Sequence, residues 1–253
     1  MKQEPSNTIY GINAVTELLN NRINEIDRIY FDSGLKGKRT FQLLKEGRRK
    51  KIQCQCIPAQ KLDKIAGTLK HQGIVALCSK KPYDTMDVLY RRIDETRKPP
   101  VILVPASIED PRNFGAIIRS SVAFDVFALL VERKKTAPLN STVAKTSAGM
   151  LEYISIVKPC SLEKEIRFLG SKGFSIFGLR NKNDKRLDKV DFTKPCVIIT
   201  GGEYKGIPQY LKKLCTDLIG IPVTQYTDSL NVSVAVSIIL YEISKQRNFK
   251  FDK

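Results

Sequence analysis

Three polar segments in the second half of the sequence carry side chains suited to chemistry, and each directly follows a short apolar run. The first segment holds Asn113 and Arg119, the second Gly201 and Glu203, and the third Asn231. Such side chains orient hydroxyls and phosphates, and glycines let a backbone approach a ligand closely. If the apolar runs are parallel strands, their carboxyl ends meet at one sheet edge, where open α/β sheets bind ligands. We therefore expect the three segments to build a single site.

Each of these residues also has an ordinary structural interpretation. A glycine pair such as the one beginning at Gly201 is typical of a turn. Ser229, Asn231 and Asn113 are good helix-capping types. Arg119 has apolar neighbours, among which arginines commonly extend toward solvent. No G-x-G-x-x-G follows an expected strand, and no Gly-Lys-Ser/Thr phosphate loop is present.

The chain is strongly basic, with a formal net charge of +17 at pH 7. Residues 1–98 hold 20 Lys and Arg against 11 Asp and Glu, and residues 99–253 hold 23 against 15. An excess spread over the whole chain suits a polyanionic partner such as RNA, because neutralised phosphates release counterions. A basic protein without such a partner is the open alternative. The basic run Lys45–Lys51 is either a solvated helix end or an RNA contact.

Metal and Ser-His-Asp chemistry have little support in the sequence. The six cysteines include no C-x-x-C pair and His71 is the only histidine, so we expect no metal. Cys54 and Cys56 alternate like same-face residues of a strand, which predicts buried, reduced thiols. No apolar run reaches the length of a membrane span, and the N-terminus has no apolar signal region. We expect a cytoplasmic protein without a membrane partner.

The hydrophobic pattern divides the chain into two domains and a connector. Residues 1–82 are expected to form a small mixed α/β domain. Residues 83–98 form a charged, amphipathic linker, and Pro99-Pro100 then breaks any helix. Residues 99–253 alternate apolar strands with helices, the pattern of a parallel sheet covered on both faces. The strands expected in this second domain are 101–104, 126–131, 154–157, 175–178, 197–200 and 218–221, and the last helix is expected over 232–246.

Taken together, the three segments resemble the three motifs of the SpoU/TrmH branch of the SPOUT RNA methyltransferases. The matching stretches are Asn113-Phe-Gly-Ala-Ile-Ile-Arg-Ser120, Gly201-Gly-Glu203 through Gly206, and Ile221-Pro222 followed by Ser229-Leu-Asn-Val-Ser-Val-Ala235. Further stretches similar to the family are Tyr10-Gly-Ile-Asn-Ala-Val15, His71-Gln-Gly-Ile-Val-Ala76 and Lys145-Thr-Ser-Ala-Gly-Met-Leu-Glu152. Gln225 departs from the family, whose members commonly have a small turn residue there. The resemblance covers nearly the whole chain.

This resemblance implies an architecture that hydrophobic patterning does not reveal. Relatives have an N-terminal domain like ribosomal protein L30e, used to grip RNA, and a C-terminal SPOUT domain tied in a deep trefoil knot, an exception to the rule against knots. The resemblance implies that S-adenosylmethionine lies in the knot, lined by Thr200, Gly201, Ile221 and Leu230. It also implies a homodimer whose active sites are completed across the interface.

The resemblance further assigns roles in methylation of a ribose 2′-hydroxyl. The family gives the task of helping the hydroxyl to the arginine of the first motif, here Arg119, which would act either as a base or as an electrostatic clamp. A guanidinium is seldom a base, whereas stabilising the developing alkoxide or clamping the neighbouring phosphate needs no deprotonation. Glu203 is an alternative base. Asn113, Ser229 and Asn231 would orient the ribose and Arg119 by hydrogen bonds.

We therefore expect an S-adenosylmethionine-dependent RNA ribose 2′-O-methyltransferase. The resemblance favours large-subunit rRNA as substrate, since the tRNA members often surround a bare catalytic domain with basic helical extensions. A tRNA substrate is the close alternative. A noncatalytic RNA-binding or ribosome-assembly protein is the alternative from another class, and intact Arg119, Glu203 and Asn231 argue against it.

Overall fold

The computed structural model describes residues 8–34, 37–79, 81–180, 185–202, 206–227 and 229–251. The described chain divides into two compact units. The first comprises the residues up to Pro82 together with Pro138–Ser141, and the second comprises Tyr83–Ala137 and the chain from Thr142 onward.

The first unit is a mixed four-stranded sheet with helices. Its main elements are β1 (Thr8–Tyr10), α1 (Ile12–Asn21), β2 (Ile26–Asp32), α2 (Lys38–Arg49), β3 (Cys54–Ile57), α3 (Ala59–Ala66) and β4 (Ile74–Cys78). The strand order is β1-β4-β2-β3. Strand β4 pairs antiparallel with β1 and with β2, whereas β2 and β3 are parallel.

Helical periodicity explains how α1 and α2 pack on this sheet. Val15 and Leu18 lie on one face of α1, and Leu43 and Leu44 lie on one face of α2. All four are buried with Ile29 of β2 in one apolar cluster. The opposite face of each helix is left to solvent, as amphipathic helices require.

The second unit is a parallel α/β sheet. Its main elements are α4 (Met86–Glu95), β5 (Val101–Pro105), α5 (Pro111–Ala123), β6 (Ala128–Leu130), α6 (Ser141–Thr146), β7 (Ser155–Val157), α7 (Leu162–Ser171), β8 (Ser175–Arg180), β9 (Lys185–Arg186), β10 (Cys196–Thr200), α8 (Gln209–Lys212), β11 (Asp217–Gly220) and α9 (Val232–Gln246). The strand order is β7-β6-β5-β10-β8-β11-β9, and all pairings are parallel.

Both faces of this sheet are covered, which is why its strands are continuous apolar runs. Ile102 and Val104 of β5 belong to a buried cluster with Leu89 of α4 and Ile166 of α7. Leu103, one residue away on the strand, points to the opposite face and is likewise fully buried.

The expected α/β architecture is confirmed, and so is each strand expected in the second unit, with ends shifted by at most two residues. The patterning did not predict β1, α6 or β9, which are too short to show a periodicity. Residues 86–95, within the expected linker, form a helix whose Leu89 is buried in the core of the second unit. The knot stays a prediction.

The cysteines are free thiols, but the prediction that they are buried is met only by Cys196, since Cys54, Cys78 and Cys215 are half-buried. Cys56 and Cys160 are exposed. Cys56 lies on β3, an edge strand with only one neighbour, so its side chain is less covered than those of the inner strands. None of the helices in the described ranges has the length and apolar character needed to cross a lipid bilayer.

Candidate active site

The sheet order brings the three polar segments to one edge. Strand β5, which precedes the first segment, pairs directly with β10, which precedes the second. The pairing extends past the strand ends, where the Ala106 amide donates to the Thr200 carbonyl at 2.9 Å. Strand β11, which precedes the third segment, is separated from β10 by β8 alone. Because all these strands are parallel, the three segments leave the sheet at the same edge.

The first segment starts helix α5, and the capping residue is Asp110. Its carboxylate accepts from the Arg112 amide at 2.8 Å, and Pro111 takes the first helical position. This backbone hydrogen bond, supported by the Arg112 guanidinium, lowers the pKa of Asp110. The interpretation of Asn113 as the helix cap is therefore wrong, because Asp110 three residues earlier satisfies the helix end.

Helices α5 and α9 bring Asn113 and Asn231 together. The Asn231 side-chain amide donates to Asn113 Oδ1 at 3.2 Å. Asn231 also caps α9 as expected, because its Oδ1 accepts from the Ser233 amide at 2.9 Å. Farther along both helices, the Ser120 and Ser237 hydroxyls lie 2.7 Å apart. The two hydrogen bonds follow the same direction along both helices, so the helices run side by side in parallel.

Arg119 is on the exposed surface of α5, next to the Ser120 contact with α9. Within the part of the chain that the structure describes, its guanidinium has no hydrogen bond and no ion pair. Solvent exposure agrees with the ordinary interpretation of an arginine extending from an apolar helix. A guanidinium in this state is also free to bind a phosphate or an oxyanion.

The second segment combines an unsatisfied hydroxyl with two close backbone approaches. Thr200 is buried, and its Oγ1 has no hydrogen-bond partner among the described residues. A Cβ on Gly201 would lie less than 3.0 Å from backbone atoms of Gly206 and Ile207, and one on Gly202 less than 3.0 Å from the Ser107 carbonyl oxygen. The two glycines therefore allow the backbone at Gly201 to approach Gly206 and Ile207, and the backbone at Gly202 to approach Ser107 after β5. They do not leave an open space.

The remaining expected residues lie around this edge. Ile221 and Leu230 are half-buried, and Ser229 is exposed. The Ser229 carbonyl accepts from the Thr227 hydroxyl at 3.0 Å. Ser229 does not cap α9, because Asn231 is the capping residue. Gln225, where a small residue was expected, is exposed in the preceding turn. Glu203 lies outside the described residues.

Residues 100–241 match the SpoU rRNA Methylase family, and residues 8–84 match the family described as RNA 2′-O ribose methyltransferase substrate binding. The chain belongs to the SpoU rRNA methylase family. It is an RNA ribose 2′-O-methyltransferase of that family, with the substrate-binding match falling on the first unit and the methylase match on the second.

Relatives of known name support this placement in the SpoU family. The chain is 30% identical over 239 residues to the 23S rRNA (guanosine-2′-O-)-methyltransferase RlmB of Xanthomonas campestris, covering 94% of this chain and 96% of the relative. It is 29% identical over 240 residues to YacO of Bacillus subtilis, assigned to the TrmH family of tRNA/rRNA methyltransferases, covering 95% and 96%. The SpoU methyltransferase AviRb of Streptomyces viridochromogenes, solved in complex with AdoMet, has the same fold, with a TM-score of 0.60 at 21% identity over 96% and 91% of the two chains.

A carboxylate that the sequence analysis missed ties two strand ends of the SpoU domain together. Glu132, just past β6, accepts from the Ser107 amide at 2.7 Å and from the Ser107 hydroxyl at 3.2 Å. Its other oxygen accepts from the Tyr210 hydroxyl at 2.7 Å. Burial and this hydrogen bond raise the pKa of Tyr210. Ser107 has a left-handed φ of 57°, and its carbonyl is the one that Gly202 approaches, so Glu132 helps to fix the edge of the site.

A second missed contact concerns Gly115 inside the first motif. A Cβ at this position would lie less than 3.0 Å from the Thr146 side chain of α6. Gly115 thus allows α6 to lie against the start of α5, and a lone glycine in a helical stretch was the available signal. Sequence spacing alone could not name Thr146 as the neighbour.

A cavity in the second unit lies away from these residues. Its volume is about 320 Å³, and it is lined by Val101 at the amino end of β5, Phe124 and Arg247. The Arg247 guanidinium there donates to the Phe192 carbonyl at 2.8 Å and to the Lys194 carbonyl at 2.8 Å. Because Arg247 holds backbone groups and the cavity lies at the opposite end of β5, the motif edge remains the candidate site. The described side chains also include no cluster of three or more potential metal ligands.

Proposed function

We propose that this SpoU family member methylates a ribose 2′-hydroxyl of large-subunit rRNA. The observation that carries the proposal is the Asn113–Asn231 hydrogen bond, which joins the first and third motifs at the start of the helix that also carries the exposed Arg119. The name of the Xanthomonas relative, a 23S rRNA (guanosine-2′-O-)-methyltransferase, supports rRNA as the substrate. The net charge of +17 suits any large RNA.

We further propose S-adenosylmethionine as the cofactor, held by Thr200, Gly201, Ile221 and Leu230. The Thr200 hydroxyl is a buried polar group without a described partner, and such groups are costly unless a ligand or water satisfies them. The AviRb structure of the same fold is a complex with AdoMet. When bound, this cofactor supplies a sulfonium methyl group as the electrophile.

The protein's own side chains have to place the ribose and help it lose a proton. Positioning alone can lower a barrier by roughly 7–11 kcal/mol. The exposed guanidinium of Arg119 would bind the RNA phosphate beside the target ribose or the oxyanion that develops on the 2′-oxygen. Asn113, Asn231 and Ser229 would orient the ribose and Arg119. Glu203 remains the candidate base.

The remaining proposals concern assembly and location. The family resemblance suggests an L30e-like RNA-binding role for residues 1–82, with a junction over 83–98 before the SPOUT domain of residues 99–253. It also suggests a trefoil knot and a homodimer with shared active sites. Free thiols on Cys56 and Cys160 fit a reducing cytoplasm, where ribosomal RNA is modified.

The proposal is tested by mapping methylated riboses in rRNA and tRNA from a deletion strain. Loss of one methyl group from 23S rRNA, restored by the wild-type gene and not by an Arg119→Ala gene, is the expected result. Loss of a tRNA methyl group instead would assign the tRNA substrate. Unchanged methylation in both RNAs, together with no calorimetric binding of S-adenosylmethionine, would leave a noncatalytic RNA-binding protein.

A further inference from the structure

Helix α2 of the first unit has one face built from cations around an aromatic ring. The helix buries Leu43, Leu44 and Gly47 against the sheet. At about 100° per residue, positions three, four and seven apart share a face. The exposed residues of α2 follow this spacing and are Lys38, Arg39, Phe41, Gln42, Lys45, Arg48 and Arg49. We call Lys38, Phe41, Lys45, Arg48 and Arg49 the α2 face.

Phe41 lies in the middle of the α2 face and is half exposed. The residue keeps 50% of its accessible surface, and the Lys45 ammonium lies 4.7 Å from the ring centroid. A single exposed phenylalanine is common in proteins and needs no explanation by itself. A ring held under a cation and surrounded by further cations is the arrangement found where bases stack and phosphates are bound.

The cations of the α2 face are not neutralised locally. Among the residues that the structure describes, Lys38, Lys45, Arg48 and Arg49 take part in no ion pair. Glu46 is the helix's one carboxylate, and it pairs with Lys50 at 3.3 Å. Lys50 in turn donates to the Leu19 carbonyl of α1 at 2.8 Å, so it ties two helices together and does not belong to the face.

We propose that the α2 face binds an unpaired stretch of the RNA substrate, with Phe41 stacking on one base and the four cations contacting phosphates. This inference rests on the proposed function, because it presumes that the substrate is RNA. A ring can stack on a base only where the base is unpaired, since paired bases already stack on their neighbours. From Lys38 to Arg49 the helix rises roughly 16 Å, which is long enough to follow several nucleotides.

The sequence contains no tryptophan, so Phe41→Trp creates a single fluorescent reporter in the full-length protein. We expect oligoadenylate of about 12 nucleotides, a length within the site sizes of single-strand binders, to quench this fluorescence by stacking. The same strand paired with oligouridylate should quench it far less. Equal quenching by both RNAs, or by neither, would overturn the stacking role.

Phe168→Trp is the matched control. Phe168 on α7 of the second unit is 42% exposed and has the Lys172 ammonium 5.6 Å from its ring centroid, so it is also an exposed ring near a cation. It differs from Phe41 in packing edge-on against the Tyr90 ring at 4.9 Å. Its helix, however, carries Glu163 and Glu165 in the first turn. We expect no quenching of this reporter by either RNA. Quenching equal to that of Phe41→Trp would show nonspecific contact and overturn the inference.

Affinity and its salt dependence separate the ring from the charges. Phe41→Ala should weaken oligoadenylate binding by roughly 5- to 150-fold, the usual effect of removing one stacking ring, without changing the salt slope. Replacing Lys45, Arg48 and Arg49 by Gln should lower the salt slope by about 0.7 for each phosphate that the variant no longer neutralises. Unchanged affinity and slope in both variants would overturn the inference and leave the face to a protein partner.

The failure of this inference can be told apart from failure of the proposed function. If wild-type protein methylates rRNA and the α2 face variants do so with unchanged KM for RNA, only the α2 face assignment is wrong. If the wild-type protein binds no RNA at all, the proposed function itself fails. Calorimetry with S-adenosylmethionine should give the same affinity for every α2 face variant, because the expected cofactor residues lie in the second unit.

Discussion

At the scale of single residues, Arg119 is the side chain to which we give the main part in methyl transfer. It is exposed, and in the described chain it makes neither a hydrogen bond nor an ion pair, so truncating it should not destabilise the fold. We expect Arg119→Ala to reduce methyl transfer by about 10²–10³-fold, the usual cost of removing a donor to developing negative charge. Arg119→Lys should also lose most turnover, because lysine lacks the planar fork.

Radiolabelled methyl transfer measures this loss, and calorimetry measures cofactor affinity, which should stay within about twofold of wild type because Arg119 lies outside the expected cofactor loops. An alanine variant with near-normal turnover would refute the assignment of Arg119. A fully active lysine variant would show that charge suffices.

The structure gives Gly201 a role in backbone packing, whereas the sequence predicts that it leaves room for the cofactor. A cofactor-lining glycine predicts that Gly201→Val abolishes binding while the protein stays folded. The structure shows the space already occupied by the backbone of Gly206 and Ile207. We therefore expect even Gly201→Ala to lower both the melting temperature and the affinity for S-adenosylmethionine.

Gly34→Ala is the control for Gly201, because a Cβ there would make only an ordinary contact with Asp32 at 3.6 Å. It should leave the melting temperature within about 2 °C of wild type, as surface substitutions usually do. If Gly201→Ala melts like wild type and loses only cofactor binding, the glycine serves the ligand and the steric account is wrong.

The type of residue predicted some of these structural roles but not the contacts between residues distant in sequence. Asn231 before a long apolar helix predicted a cap, and it is one. Asn113 has the same chemistry, but its alternative interpretation as a cap is wrong, because Asp110 and Pro111 start the helix. The Asn113–Asn231 contact and the Glu132–Tyr210 contact join residues 118 and 78 positions apart. Only the fold, or a family resemblance that encodes it, can supply such pairs.

At the scale of elements, helix α5 matters because it carries both Asn113 and Arg119. Its stability depends on the Asp110 cap at its first turn. The pKa of the Asp110 cap is lowered, so its contribution to stability is present above the ordinary Asp value of about 4 and is lost as the pH falls through the folded-state value. We expect Asp110→Ala to destabilise the protein by about 1 kcal/mol at pH 7. Thermal melts across pH 3–7 measure both effects.

Asp110→Asn is the informative partner variant, because asparagine caps helices equally well without titrating. It should match wild type at neutral pH and lose less stability than wild type in acid. If wild type and Asp110→Asn fall together on acidification, other carboxylates dominate and the cap does not set the low-pH behaviour of α5.

The loop after β5 is the second element that needs support. Ser107 has left-handed backbone geometry, and Glu132 binds its amide and hydroxyl. We expect Glu132→Ala to release this loop from Gly202 and to weaken S-adenosylmethionine binding by roughly tenfold, corresponding to the loss of a charge-assisted hydrogen bond. Glu132→Gln should largely restore affinity, because its oxygen can accept from Ser107 while its amide faces Tyr210.

Calorimetry reports the cofactor affinity of these variants, and a melt reports stability. A merely structural role would lower the melting temperature without changing affinity. Equal affinities for wild type and Glu132→Ala would therefore exclude Glu132 as a positioning residue.

Elements were predictable where burial leaves a strong pattern. Strands β5 and β10 are buried along their whole length, and their continuous apolar runs predict them. Strands β1 and β9 have three and two residues, and α6 has six, which is too short for a period of two or 3.6 to stand out. The sequence predicts an amphipathic linker over residues 83–98, and the apolar stripe of this segment belongs to helix α4. A stripe does not say against which neighbour it packs.

At the scale of the whole molecule, the sequence predicted two folding units and a distributed positive charge, and it could not predict a knot. A knot depends on the order in which the chain passes through its own loops, and no local periodicity records that order. The same limit applies to dimerisation. An exposed apolar side chain on α9, such as Val234, does not identify a dimer interface, because monomeric proteins also expose single apolar side chains.

The division of labour between the units gives the last prediction. The chain before Pro99 carries 20 of the 43 basic residues but none of the three motifs, so the second unit alone should bind S-adenosylmethionine. A fragment beginning at residue 99 would remove α4 and expose the cluster that buries Leu89, so the fragment should begin at Tyr83, which is itself buried. We expect residues 83–253 to melt cooperatively, and residues 99–253 to be less stable by about 2–5 kcal/mol or more, the usual cost of emptying a core position.

Titration of RNA into full-length protein and into the 83–253 fragment, at several salt concentrations, completes the test. The fragment should bind RNA more weakly and with a shallower slope of log affinity against log salt, because fewer counterions are released. Its affinity for S-adenosylmethionine should equal that of the full chain. A fragment with full RNA affinity and an unchanged slope would mean that the second unit grips RNA alone, and the first unit would then need a role that does not depend on phosphate contacts, such as docking on a ribosomal protein.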